Sequence, residues 1–575
     1  MQILLIYPYF LEPRVHVEEI ASVPMGLYYI GALLRSQGHE VEILNWYHAK
    51  DDPEGIDAAL RAHKPDVIGF SIVHANRWGG IDIARMAKKI FPQVPVVFGG
   101  IGATFLWRHL LTHFEAIDYI VRGEGETTFS NLVTAFQEGA TPDVIAHIPG
   151  LALRTAEGIV KTADAALIQN LDELPPPARY FDLQHLSMTR GCPGRCTFCG
   201  SPRFWRRRVR SHSSDYLVNQ LTLLAERGMT HFYLSDDTFT LHPKQVIELC
   251  RKIMDKGLNF TWQAISKVSA VNAQMLYWMR KAGCIQISYG VESGSEDIRQ
   301  RLCKDIRDDQ IQQAFDLTVA HGILARAYFI YGAPGETRET VGQTLALIRQ
   351  IKPLSVIFYI MDLFPGTAMY EDYKARTGAD DDIWLQRIED LLYYETDAAI
   401  SREDVLAFGR RLRQTYDQWL PEFGRQIALK DDPSLLAEQA DFLSRMAMTF
   451  SHGDYARIES ATSPMDTARE LYQQALARHS DERAFWGLAL VHQQQGNLAA
   501  AVEVLQRGLR HHPRSRHLNI CLGIGYANQR QHQRALEHLM PFESVPEAVP
   551  HIVRCLQALG RVREAEKFAA RRNRQ

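Results

Sequence analysis

The chain has 575 residues, too many for one hydrophobic core, so two to four domains are expected. Its 64 basic and 67 acidic residues leave a formal net charge of −3, which provides neither the basic field of a nucleic-acid binder nor a polybasic membrane address. The opening MQILLIYPYF lacks a charged leader and a cleavage site, no apolar run reaches the roughly 18–20 residues of a membrane span, and eight cysteines in so long a chain fit a reducing, cytoplasmic setting.

Over the first 140 residues the apolar runs QILLIYP, EVEILNW, VIGFSIV, PVVFGG and YIVRGEGE alternate with amphipathic segments such as GLYYIGALLRSQG and IDIARMAKKIF. Continuous Val/Ile/Leu strands, each followed by a helix-period stretch, predict a doubly wound α/β domain over 1–147 with helices on both faces of a parallel sheet. Ligands of such sheets lie beyond the carboxyl ends of the strands. Gly99, Gly100, Gly102, Gly123 and Gly125 fall there, where glycine permits a close backbone approach or a left-handed turn.

Residues 148–182, with three prolines at 175–177, read as a linker with one hairpin. From 183 to 370 six strand-like runs, HLSMTRG, HFYLSDD, FTWQAI, QISYGVE, ARAYFIYG and VIFYIMDLFPG, alternate with helix-period stretches and predict a partial (β/α)6 barrel of the TIM type. Residues 371–463 have helical periodicity and read as a helical extension. Over 464–575 TARELYQQALARHS returns as AAVEVLQRGLRHHP and then as RALEHLMPF, so that Ala468, Ala501 and Ala535 stand 33 and 34 positions apart. That period resembles tetratricopeptide repeats, helix pairs that stack into a solenoid. Their concave face favours contact with a protein partner over capping of the barrel.

The stretch MTRGCPGRCTFCGSP holds three cysteines spaced C-x3-C-x2-C. Structural zinc sites take four ligands, and no histidine follows until His212. Ferredoxin runs supply a full set of thiolates. Three cysteines would leave one iron of a 4Fe-4S cluster open; zinc and idle buried thiols are the alternatives.

RGCPGRCTFC, with Phe198 before its last cysteine, resembles the signature of radical S-adenosylmethionine (SAM) enzymes. The resemblance implies that Cys192, Cys196 and Cys199 hold a 4Fe-4S cluster whose open iron is chelated by the methionine end of SAM. Further segments resemble the same family in barrel order: LSDDTFT, SYGVESGS, YGAPGETRET and FPGT. They imply SAM contacts for Phe198, Asp236, Asp237, Ser288, Glu292, Ser293, Gly332, Pro334 and Gly335. Upstream, VPMGLYYIGALLRSQGHEVEILN, KPDVIGFSIV, VVFGG and YIVRGEGETTF resemble the cobalamin-binding module that precedes the barrel in one branch of the superfamily. That likeness implies cobalamin contacts for Tyr7, Pro8, Ser71, Gly99, Gly100, Ala103, Thr104, Gly123, Glu124 and Gly125. The chain departs from relatives in lacking an Asp-x-His-x-x-Gly motif, hence an evident imidazole for cobalt, and in carrying Gly102 where relatives often have histidine.

The resemblance implies a C-methyltransferase: a 5′-deoxyadenosyl radical abstracts hydrogen from an unactivated carbon, and methylcobalamin delivers the methyl group. Its substrate is a small molecule, a peptide or a carrier-bound group, and it needs a low-potential electron donor. Two alternatives stand beside it: a cobalamin-associated cyclase or oxidase without methyl transfer, and a vestigial scaffold that works through its repeats. The resemblance implies that the protein contributes orientation and electronic tuning of two cofactors and not acid-base chemistry, and no catalytic residue is assigned. Arg206, Arg207, Arg208 and Arg210 in RFWRRRVRS read as a solvated or interdomain face, Cys303 as a buried or idle thiol, and His74 and His492 as packing or surface histidines.

Overall fold

QILLIY and VIGFS are buried almost throughout, as strands covered by helices on both faces must be, and they are interior strands of a seven-stranded sheet. The structure is a computed structural model that describes residues 1–15 and 23–572. The strands are β1 (Gln2–Tyr7), β2 (Glu40–Asn45), β3 (Val67–Ser71), β4 (Val96–Gly99), β5 (Tyr119–Val121), β6 (Leu151–Thr155) and β7 (Gly158–Lys161), in the order β2-β1-β3-β4-β5-β6-β7. Strands β1 to β5 pair in parallel, and the β6–β7 hairpin adds two antiparallel strands from the stretch expected to link domains. Strand order reverses between β1 and β3, so a crevice opens beyond their carboxyl ends. Local chemistry sets the helices between strands: Asp52 accepts from Gly55 N at 2.9 Å and Pro53 occupies the first turn of helix Pro53–His63.

The second sheet has six strands: β8 (His185–Leu186), β11 (His231–Leu234), β12 (Thr261–Ser266), β13 (Cys284–Glu292), β14 (Leu324–Tyr331) and β15 (Ser355–Ile360). They lie side by side in chain order, and no pairing joins β8 to β15 among the described residues. A short antiparallel ribbon, β9 (Thr189–Arg190) with β10 (Arg210–Ser211), brackets the cysteine loop.

Both sheets belong to one compact unit, which runs to Leu412 apart from short segments at 316–324 and 352–354. Within it a strap of 3-10 turns from Asp381 to Glu395 lies on the first sheet's helices. Arg77 anchors it. The guanidinium is 1% exposed, donates to the carbonyls of Ile388 (2.6 Å), Gln386 (3.3 Å) and Glu389 (3.3 Å), and stacks 4.5 Å from the Trp384 ring. Trp78 Nε1 donates to Gln386 O at 2.8 Å, Arg387 pairs with Asp82 at 2.5 Å, and Arg14 pairs with Asp390 and Glu395. An irregular strap has spare carbonyls, and these arginine and tryptophan donors satisfy them.

The second unit takes in those two short segments and the chain from Arg413 onward. It is helical: Leu436–Ser451, Pro464–Arg478, Glu482–Gln494, Leu498–His511, Arg516–Asn528, His532–Leu539, Val549–Ala558 and Val562–Arg572, each packed on the next. Ala468, Ala501 and Ala535 are all buried at equivalent places in their helices.

Replacing Arg77 removes the donors for three strap carbonyls at once. Arg77→Ala is expected to cost about 1–3 kcal/mol and to expose 386–390 to protease, as checked by thermal melting and limited proteolysis against wild type.

Candidate active site

The cysteine loop sits between β9 and β10 and is pinned from both sides. Thr197 N donates to Leu302 O at 3.0 Å, and Met369 N donates to Thr197 O at 3.0 Å. The chain folds around Gly194 so that a methyl group there would lie 3.3 Å from Cys192 Sγ and 3.9 Å from Cys196 Sγ. Burial pushes the Cys199 thiol up to about 12 and raises Cys196 as well. Three half-buried sulfurs gathered in one loop are a donor set for a cationic cluster, whose charge offsets the cost of burying thiolates. All three are free, and Cys192 Sγ lies 3.9 Å from Thr238 Oγ1. Cys303, expected to be buried or idle, is exposed.

The other expected SAM residues lie at the strand ends around this loop. Asp236 is 2% exposed and faces back toward β9: its carboxylate accepts from Met188 N at 3.1 Å, from Thr189 Oγ1 at 2.6 Å and from Thr189 N. Burial lifts its pKa to about 7 against these hydrogen bonds. Asp237 accepts from Ser201 Oγ at 2.7 Å. Glu292 holds a left-handed backbone at φ 69° and pairs with Lys304 at 2.7 Å, both side chains nearly buried. A side chain at Gly290 would collide with that pair, 2.5 Å from Glu292 Oε1 and 2.8 Å from Lys304 Nζ. The Ser293 hydroxyl bonds Thr344 Oγ1 at 3.3 Å and Ser295 N at 3.1 Å, while Ser288 is buried beside Gln286 Nε2 at 3.4 Å. The Gly332–Gly335 turn is closed by Glu336, which accepts from Gly332 N; burial raises the Glu336 pKa to about 7. Pro334 lies in this turn.

Beyond the carboxyl ends of β1, β3, β4 and β5 opens a cavity with about 1070 Å³ of free space, its mouth included. Ser71, Gly99, Gly100, Gly123, Glu124 and Gly125 line it on the first-sheet side. Ser187, Thr189, Arg190, Trp205 and Asp237 line it on the side of the cysteine loop. Two glycines are required by the backbone: Gly100 (φ 93°), where a side chain would meet Ile72 O at 2.7 Å, and Gly123 (φ 75°). Six glycines on the walls let a broad, flat ligand rest directly on main chain, and cobalamin fits that cradle. Thr104 does not line the cavity; it ties the loops after β4 and β5, donating to Gly100 O at 2.8 Å and accepting from Gly123 N at 2.9 Å. Tyr7, Pro8 and Ala103 are buried behind the wall. Gly102 packs on the main chain of Val73 and His74, 2.6 and 2.7 Å from where its side chain would begin, so no histidine fits there without backbone movement. His74 stacks on Phe364 at 4.7 Å and bonds Asp362 at 2.9 Å, a packing role.

Glu124 joins the two halves of the cavity. It accepts from Arg190 at 2.7 Å, from Arg210 at 2.8 Å and from Ile168 N at 2.8 Å, and Arg190 reaches on to Glu126 at 2.7 Å. Against the cost of burial, pairing with Arg210 and Arg190 holds Glu124 below the ordinary carboxylate range. Arg190 lies 4.6 Å over Tyr29 and Arg210 5.4 Å over Trp205. In the basic run, therefore, Arg210 is an interdomain residue. Lys304, Arg190, Glu126 and Trp205 escaped sequence analysis. Lys304 follows the scrutinised Cys303, but nothing local marks its pairing with Glu292.

The B12 binding domain family matches residues 19–133, and the Radical SAM superfamily matches 186–348. An uncharacterized methyltransferase of Pyrococcus horikoshii is 31% identical over 385 residues, covering 64% of this chain and 83% of the relative. The anaerobic magnesium-protoporphyrin IX monomethyl ester cyclase of Cereibacter sphaeroides is 27% identical over 390 residues, covering 64% of this chain and 63% of the relative. The fold is shared with the radical S-adenosylmethionine methyltransferase TsrM of Kitasatospora setae at a TM-score of 0.56 and 22% identity, over 65% of this chain and 76% of that one. With three sulfurs converging beside a cavity walled by both matched segments, the chain belongs to the radical SAM superfamily, as an enzyme that uses cobalamin together with a 4Fe-4S cluster and SAM.

Proposed function

We propose that this enzyme is a C-methyltransferase that places a methyl group on an unactivated carbon of a small-molecule, peptide or carrier-bound substrate. One observation carries the reading: a single cavity is lined both by the strand ends of the B12-matching segment and by Thr189, Arg190 and Asp237 beside the cysteines. When bound, cobalamin supplies a transferable methyl group, and the cluster with SAM supplies a 5′-deoxyadenosyl radical. The chain contributes placement and exclusion of water. Cys192, Cys196 and Cys199 would hold the cluster, and Glu292 with Lys304 presents a fixed charge pair to the polar end of SAM. Phe198, Asp237, Ser288 and the Gly332–Gly335 turn complete the proposed SAM contacts. Ser71, the cavity glycines and Glu124 would form the cobalamin bed, with Tyr7, Pro8, Ala103 and Thr104 supporting it from behind. Asp236 and Ser293, bonded to main chain and to Thr344, position the loops that carry these contacts. Apolar walls such as Phe70, Val97 and Phe204 keep a reactive radical away from water.

The likeness to the cyclase supports a second reading, ring formation without methyl transfer. We assign domains over 1–147, 148–182, 183–370, 371–463 and 464–575. The C-terminal helices fit tetratricopeptide-type pairs, since Ala468, Ala501 and Ala535 recur at the 33- and 34-residue period and are all buried. Such a surface suits a carrier protein or another protein partner, and turnover requires a low-potential electron donor. Among the described residues no helix is long and apolar enough to cross a membrane.

Anaerobically reconstituted protein given methyl-labelled SAM and a strong reductant is expected to release 5′-deoxyadenosine and to carry the labelled methyl on its cobalamin. Cys192→Ala should lose the deoxyadenosine. Cleavage without label on cobalamin would favour the cyclase reading, and no cleavage would refute both.

Asp236 generates a second expectation. Its folded pKa of about 7 lies above the unfolded carboxylate value, so the stability it contributes is complete below about pH 4 and is lost as pH rises through 7. Asp236→Asn keeps an oxygen acceptor for Thr189 and should flatten the fall in unfolding midpoint between about pH 4 and 7. Parallel urea melts across that range check it; an unchanged slope would contradict it.

A further inference from the structure

Away from the cavity, helix Trp107–His113 presents two imidazoles one turn apart to Asp382 of the strap. His109 Nδ1 lies 3.4 Å and His113 Nε2 3.0 Å from the same oxygen, Asp382 Oδ1. One ligand atom from each of the three residues falls within 4.8 Å of the other two. Nitrogen and oxygen donors about 2.0–2.1 Å from a tetrahedral zinc ion stand about 3.4 Å from one another, so the spacing suits a shared cation.

An independent observation points the same way. The His109 side chain is 2% exposed, yet neither of its ring nitrogens makes a hydrogen bond of acceptable geometry. A buried imidazole with two unsatisfied nitrogens is costly, and its surroundings offer no relief: Phe114 meets it edge-on at 6.1 Å, and the His113 ring lies 4.9 Å away. Asp381 is committed elsewhere, to the Tyr370 hydroxyl at 2.9 Å and Lys374 at 3.0 Å. Asp382 is held in place from its own turn, its N–H donating to Asp380 Oδ1 at 2.9 Å.

We propose that His109, His113 and Asp382 bind a divalent cation of the zinc class, with water in the fourth position, as a clip that fastens the strap to the helix after β4. Two imidazoles and one carboxylate form a borderline donor set that suits zinc over magnesium or calcium. None of the three residues lines the cavity, so the ion's place is structural. The strap that the clip would fasten is held independently by Arg77 and Trp78, from the helix after β3. The clip adds a metal-dependent fastening between helix Trp107–His113 and the chain that leaves the second sheet.

The test uses the full chain with its iron-sulfur cluster already reconstituted, so that the cysteines are occupied. After incubation with zinc and dialysis, elemental analysis is expected to find about one zinc per chain beside the iron. Zinc should also raise the melting temperature. His113→Gln and Asp382→Asn, both at partly exposed positions, should fold, keep their iron, retain at least tenfold less zinc and lose the zinc-dependent thermal shift. Cobalt(II) at the site should give visible ligand-field bands without a thiolate charge-transfer band. No zinc beyond the cluster, equal zinc in wild type and both variants, or a thiolate band from cobalt would each overturn the proposal.

Discussion

A carboxylate almost sealed from water needs positive partners, and Glu124 finds them across the domain boundary in Arg190 and Arg210. The remainder of the site depends on this constraint. Glu124 stands between the two glycines that shape the loop after β5, and Arg190 stands two residues before the first cysteine. Their pairing fixes the distance between the glycine-floored crevice and the cysteine loop. Removing one member of such a buried cluster strands the others, a cost of about 3–5 kcal/mol, whereas in the assembled set the Glu124 carboxylate accepts from both arginines and from Ile168 N. Arg190 is shared with Glu126 and Tyr29, and Ile168 N occupies a remaining acceptor site on Glu124.

Apolar contacts repeat the same junction. A side chain at Gly200, next to Cys199, would come within 2.9 Å of Ile101 in the loop after β4, and one at Gly366 would overlap the Phe105 ring at 2.1 Å. Glycine at these two points lets the cysteine loop and the FPGT turn lie flush against the first domain. The strap closes the junction from outside through Arg77. Orientation is what this protein must supply, since its cofactors carry the difficult chemistry and its own residues hold them at a fixed separation.

Much of this was legible in sequence. Strands buried on both faces announce themselves as continuous apolar runs, so β1 to β5 and most of the second sheet fell where periodicity placed them. The cysteine spacing and the glycines at strand ends gave the cluster loop and the cavity floor. Other parts left no local trace. The two-residue β9–β10 ribbon is too short for any period to show. The strap was expected to be helical, yet its turns are stabilised by donors from Arg77 and Trp78, about three hundred positions away in the chain. Partners of Glu124 lie 66 and 86 residues from it. Charge alone marks an arginine as a solvated face, and only the fold shows that Arg210 is buried while its neighbours Arg206 to Arg208 are not. His109 and His113 stood in plain view within LWRHLLTHF, but Asp382 comes from 269 residues beyond.

The proposed site is one cavity, walled by Glu124 and Arg190, that seats cobalamin against the cysteine loop. An anaerobic crystal structure of the protein reconstituted with iron, sulfide, SAM and cobalamin tests it most directly. The expected result is a corrin ring resting on Gly99–Gly100 and Gly123–Gly125, with the Thr189–Arg190 and Trp205 wall facing it and a cluster held by the three cysteines. A corrin bound elsewhere, or a cluster with a fourth protein ligand, would contradict it.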